Sequence, residues 1–111
     1  MNFENYKLEQ GSIMIAFSDE KLSVGTLELN SGAQLSRHDR PCLESLFQLK
    51  GKCVIKFDDR EVELNEGEQI DISVGTFHIH SNPFSEKSLT FWKASGDITE
   101  IIRKIREGSK M

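Results

Sequence analysis

The chain has two cysteines among 111 residues, and its 14 lysines and arginines are outnumbered by 18 aspartates and glutamates. Two thiols, Cys42 and Cys53, cannot build a disulfide framework, and free thiols are the expectation for both. No apolar run approaches the ~18 residues of a membrane span. The first ten residues, MNFENYKLEQ, lack the basic start and apolar stretch of a signal peptide, so a cytoplasmic location is expected. A net charge of −4 gives no nucleic-acid footprint, and no basic run suggests a membrane surface. Arg103, Lys104 and Arg106 do cluster, but in the last turns of a predicted helix, where cations complement the dipole. There is no Ser-His-Asp order, phosphate loop, zinc-finger spacing, internal repeat or low-complexity stretch. Residues 1–111 read as one domain, long enough to bury roughly 65% of the unfolded surface.

What is present is a series of short segments rich in β-branched and aromatic residues. Strands are predicted over residues 12–17, 22–29, 35–39, 44–50, 52–57, 60–64, 68–73, 77–82 and 89–94. Asp58-Asp59 reads as a tight hairpin turn, and Asn65-Glu66-Gly67 and Val74-Gly75-Thr76 as further turns. So many short strands at regular spacing predict an all-β sandwich or barrel, spanning residues 12–94. Only the C-terminus changes period. Ile98, Ile101, Ile102 and Ile105 fall at i, i+3, i+4 and i+7, one stripe of a helix over residues 98–107. Asp97 is the expected N-cap, Glu100 its capping-box partner, and Gly108 the stop. The helix is expected on the outside of the sheets, with its isoleucines part of the core and not a partner-binding stripe.

Two blocks in mid-chain carry the chemistry: GAQLSRHDRPCLESLFQLKG, from Gly32 to Gly51, and GEQIDISVGTFHIHSN, from Gly67 to Asn82. Strand residues alternate faces, so Glu44, Leu46 and Gln48 share one side, as do His78 and His80. A carboxylate pointing into an apolar barrel must be neutralised, paired or metal-bound. With His38 nearby, His38, Glu44 and His78 are the candidate ligands of a metal. Two histidines and one carboxylate are the donor set that holds non-haem Fe(II) with open positions, and the same donors suit zinc.

The blocks resemble the two conserved motifs of the cupin superfamily. The usual first motif is G-x5-H-x-H-x3,4-E-x6-G, and Gly32, His38, Arg40, Glu44 and Gly51 stand at those spacings with arginine for the second histidine. The usual second is G-x5-P-x-G-x2-H-x3-N, matched by Gly67, Ser73, Gly75, His78 and Asn82 with serine for proline. The motifs cover about a third of the chain, and matches at fixed spacing over two blocks are a specific signal. The resemblance implies a small jelly-roll β-barrel, a site in its mouth and a homodimer. It also implies a divalent transition metal (iron, manganese, nickel, copper or zinc) on His38, Glu44 and His78.

Arg40 is the departure that matters. A guanidinium has no lone pair and stays protonated, so it cannot ligate. Three arrangements follow: Arg40 swings away, an anion bridges arginine and metal, or the metal is absent and Arg40 pairs with Glu44. Arginine suits bidentate recognition of a carboxylate, so an anionic small molecule is the expected ligand. Gln48, His80 and Trp92 are further candidates for lining its pocket. The sequence thus supports a metal-dependent oxygenase, isomerase or lyase, a non-catalytic cupin that binds a small molecule, or a metal-free dimeric module.

Overall fold

Nine strands and one helix account for the chain in a computed structural model that describes residues 3–108. The strands are β1 (Glu4–Leu8), β2 (Gly11–Ser18), β3 (Ser23–Leu29), β4 (Leu43–Lys50), β5 (Cys53–Phe57), β6 (Glu61–Leu64), β7 (Gln69–Ile72), β8 (His78–Ser81) and β9 (Ser88–Ser95). Helix α1 (Thr99–Arg106) follows. A six-stranded sheet runs β1-β2-β3-β9-β4-β7 and a three-stranded sheet runs β6-β5-β8, with every pairing antiparallel. This is the expected all-β jelly roll.

Side-chain alternation sets which surface of each sheet faces in. Burial alternates without a break along β3, and along β9 the positions of Ser88, Thr90, Trp92 and Ala94 are buried. Ile15, Leu29 and Trp92 from the larger sheet share one core with Cys53, Ile55 and Leu64 from the smaller, so the sheets face each other. The Asp58-Asp59 turn forms as expected, with Lys56 opposite Glu61 and the Phe57 N–H donating to the Arg60 carbonyl. Gly51 turns at φ 68°, and a Cβ there would lie 2.5 Å from the Lys87 carbonyl oxygen, so position and neighbour both demand glycine.

Four differences from the sequence reading stand out. β1 was not foreseen, because ENYKL is polar and none of its residues becomes fully buried; the strand is held by its hairpin with β2. Residues 35–39 do not form a regular strand. The helix lies on the other side of the sheet from the one expected: Ile98, Ile102 and Ile105 are buried in the same core as Leu27, Leu46 and Trp92, so α1 roofs the barrel interior. Its cap also differs. Ile98 occupies the N-cap, Asp97 accepts from the backbone N–H and hydroxyl of Thr99, and Glu100 pairs with Arg103 instead of returning to the backbone.

Candidate metal centre

The two sequence blocks are zipped together by their backbones. Gly32 donates to Asn82, Asn82 to Ala33 and Leu35 to His80, while His38 and His78 exchange reciprocal bonds of 3.0 and 2.9 Å. Asn82, fully buried, fixes the far end: its amide donates to the carbonyls of Leu29, Asn30 and Glu86 and accepts from the Phe84 N–H. The Gly75 N–H donates to the Arg40 carbonyl and ties the near end.

Irregularity in this zipper is what aims His38. Bridges pair Gln34 with Ser81 and His38 with His78, so four steps on one side face three on the other. One extra residue is accommodated there, as in a β-bulge. In strict alternation Leu35 and His38 would point to opposite faces, because they stand three positions apart, an odd step. The bulge reverses the parity, and both side chains line the interior. Glu44 then reaches the same point from β4, across the barrel.

His38, Glu44 and His78 each offer a donor atom within 4.8 Å of the others. The two imidazoles meet edge to face, with centroids 4.4 Å apart. Nδ1 of His38 lies 2.7 Å from the Ser36 carbonyl and Nδ1 of His78 lies 2.8 Å from the Thr76 carbonyl. A carbonyl only accepts, so both Nδ1 atoms carry protons, and a ring in its neutral form then presents a bare Nε2 lone pair. His78 Nε2 is 3.4 Å from Glu44 Oε1, a gap that a shared proton or a bound cation would close. Burial, and next the Arg40 charge, push His38 down to about 4, which keeps its lone pair free at neutral pH. Burial alone would raise the Glu44 pKa, but His78, Arg40 and His38 together outweigh it and hold the carboxyl below its usual range. The donor set fits a divalent ion.

Arg40 turns toward Glu44. Its Nε lies 4.0 Å from Glu44 Oε2, and its Nη1 donates a long bond of 3.4 Å to the Asp39 carbonyl. The side chain is 16% exposed, so a guanidinium with most of its donors unused sits at the edge of the site.

Solved structures resemble this chain over nearly its whole length. An RmlC-like cupin from Shewanella frigidimarina superposes with a TM-score of 0.80, at 13% identity over 90% of this chain and 89% of that one. The chain has the cupin fold. The cupin domain of Schizosaccharomyces pombe Cnp3 is similar at a TM-score of 0.74 and 16% identity, over 100% of this chain and 77% of that one. A cupin superfamily protein from Desulfitobacterium hafniense is similar at 0.68 and 14%, over 86% and 79%. No family model matches the sequence, and no curated protein matches it.

Beside the candidate ligands the cupin fold leaves a chamber of about 50 Å³. Its walls come from Ile13, Leu27, Leu35, Leu46 and Trp92, and its roof from the four isoleucines of the α1 stripe. The stripe was legible in the sequence; its membership of the chamber was not, since periodicity does not say which surface a helix covers. His38, Arg40, Glu44, His80 and Thr90 supply the polar lining. His80, one of the residues read as lining the pocket, is among them. It is 4% exposed, pushed down to about 4 by burial, and 3.4 Å from the Thr90 hydroxyl.

Gln48 does not join the chamber. Its amide donates to the Lys50 carbonyl and Ser88 Oγ, and its Oε1 accepts from Thr90 and Cys53, so it has no polar tip left for a ligand. Its alternation inward was read correctly, but depth along the barrel axis was not visible. Trp92 lines the chamber as expected, and its indole N–H is buried without a partner among the described residues. Cys42 and Cys53 are both buried and held above the ordinary thiol value by that burial, Cys53 at about 11. Neither has the thiolate character of a nucleophile.

Proposed function

We propose that this chain is a metal-binding cupin in which His38, Glu44 and His78 hold a divalent transition ion and Arg40 receives an anionic small molecule. One observation carries the reading: three acceptor groups converge within 4.8 Å, and both imidazoles have committed their N–H groups to carbonyls behind them. Such a set is relieved by a cation or a proton among the three, and Arg40 supplies positive charge to the carboxylate alone. Bound there, an ion supplies Lewis acidity and open coordination positions, the chemistry of oxygenases and isomerases. The residues of the chain do the remaining work. Arg40 orients the anion, the α1 roof excludes water, and the carbonyls of Ser36 and Thr76 fix the imidazole tautomers.

Elemental analysis of untagged protein, with titration of Zn(II) and Fe(II) into chelator-treated protein, tests the reading. Near-stoichiometric metal is expected, with at least a hundredfold loss in Glu44→Gln and His78→Ala. Absence of binding by either ion would reject it. The 4.0 Å approach of Arg40 to Glu44 supports a second reading, a metal-free module that binds a small molecule, with a proton shared between Glu44 and His78. Failure to bind metal combined with retained anion binding would select it.

A homodimer is the proposed assembly. Phe47 and Leu49 are exposed on the outer face of β4, and Phe91 of β9 lies directly opposite Phe47. In the same face Asp71, Ser45 and Lys93 form one cross-strand row, acidic at one end and basic at the other, which a twofold copy can pair. Light scattering that returns a monomer across micromolar concentrations would reject it. No helix among the described residues is long and apolar enough to cross a membrane.

A further inference from the structure

The chamber beside the centre has two unlike parts. Its polar groups lie at the centre or engage one another. His38, Arg40 and Glu44 belong to the centre itself, while Thr90 gives its hydroxyl proton to Gln48 and faces His80 at 3.4 Å. The rest is hydrocarbon, since eight of the fourteen wall residues are leucine or isoleucine. That balance decides what occupies it. A water held in a protein interior needs about two to four polar partners, and aliphatic walls stay dry and take up apolar molecules instead.

The roof and one wall give this hydrocarbon a fixed size. All four isoleucines of the α1 stripe line the chamber, whereas the arginines of the helix pair elsewhere, Arg103 with Glu100 and Glu107, and Arg106 with Glu4 of β1. Trp92 is a wall that cannot retreat: its ring lies so close on the Gly25 backbone of β3 that a Cβ there would stand 2.6 Å from Cζ2. The space of about 50 Å³ holds roughly four water-sized groups at 10–15 Å³ each. A propyl or butyl chain has that size, and a six-carbon ring or chain exceeds it.

We infer that the chamber is the seat of a short alkyl group, about three or four carbons long, carried by a ligand whose polar end stays at the centre. This deepens the reading above and rests on it for the polar end alone; the alkyl seat needs neither an occupied metal nor Arg40. Each methylene moved from water into the seat is expected to tighten binding about fourfold. Growth past about the fourth carbon is expected to add nothing, because a packed wall does not yield to added volume.

Two titrations of the full chain test this, both read by NMR of labelled isoleucine and leucine methyls. In chelator-treated protein, propane and 2-methylpropane are expected to shift the methyls of Leu27, Leu46 and Ile102 saturably, with cyclohexane at least tenfold weaker and Arg40→Gln no different. In Zn(II)-treated protein, straight-chain carboxylates from ethanoate to heptanoate are expected to gain about fourfold per carbon as far as pentanoate and then level off. Arg40→Gln should lower that whole series and keep its increments. No saturable shift by either hydrocarbon would overturn the inference, as would carboxylates that bind with no gain per carbon or that keep gaining to heptanoate. Ile101, a partly buried roof residue, gives variants of opposite sign: Ile101→Phe is expected to abolish hydrocarbon binding, and Ile101→Ala to admit cyclohexane. Unchanged hydrocarbon affinities in both folded variants would remove the chamber as the seat. Hydrocarbon binding without Zn(II) or carboxylate binding keeps the alkyl seat and rejects the reading of the centre; Zn(II) and carboxylate binding with no hydrocarbon response does the reverse.

Discussion

Replacing Arg40 with glutamine is expected to tighten metal binding, an unusual outcome for removing a side chain from a functional site. The guanidinium approaches Glu44 to 4.0 Å, so an ion bound to that carboxylate would stand near the arginine. At about 5 Å and an effective dielectric of about 20, a divalent ion and a guanidinium repel by about 7 kcal/mol. Much of this is avoidable, because Arg40 lies at the edge of the site and can rotate toward water, where the repulsion is screened. The expected remainder is at least about 1.4 kcal/mol, a tenfold gain in affinity for Arg40→Gln. Arg40→His removes the same charge and adds a lone pair, so its gain should be larger still. Isothermal titration of Zn(II) against a competing chelator at pH 7.5 measures both, and Co(II) spectra report whether the histidine has joined the coordination sphere. Unchanged affinity in both variants would show that the arginine is already remote from the bound ion, and the repulsion argument would be wrong. The same glutamine variant should lose affinity for carboxylates, so the two effects run in opposite directions and general damage cannot mimic them.

Acid should destabilise the metal-free protein in a defined window. His38 and His80 titrate near 4 in the fold and near 6.5 unfolded, so the unfolded chain binds protons first as pH falls. Stability is therefore full above about pH 6.5 and lost as pH drops through about 4, by a few kcal/mol, mostly through the fully buried His80. Urea midpoints at pH 7.5, 5.5 and 4.5 check this, and a flat profile would contradict it. Gly25→Ala should destabilise by about 1–3 kcal/mol and shift the Trp92 emission, because the new Cβ would lie 1.9 Å from the Met14 carbonyl oxygen and 2.6 Å from the indole. Wild-type emission and stability together would refute the tight seat. Asn82→Ala should cost about 2–4 kcal/mol by leaving buried groups of the 29–32 and 82–86 segments unpaired, measured by thermal or urea unfolding.

Local pattern carried a large part of this protein. Strands with one face on the core, such as β3 and β9, alternate in sequence as they do in space. The β5–β6 hairpin was visible in two consecutive aspartates between β-rich runs, and the helix in four isoleucines at a period of 3.6. Fixed spacing over two blocks named His38, Glu44 and His78, and the structure brings these three together. β1 was hidden because it is a polar strand made stable by its neighbour. The expected strand over residues 35–39 failed for a more instructive reason: regular alternation would have aimed His38 away from Leu35, and only the extra residue against β8 brings both inside.

The sequence by itself determined most of the elements, the spacing that names three candidate ligands, and the presence of a cation where the motif has its second histidine. These are local properties, written in period, turn chemistry and residue type. Tertiary structure alone decided which surface α1 covers, how deep Gln48 and His80 lie, which imidazole nitrogens stay bare, and that Arg40 turns to Glu44. Each of those depends on contacts between segments far apart in the chain, and a side chain's neighbours across a barrel leave no mark on the residues beside it in sequence.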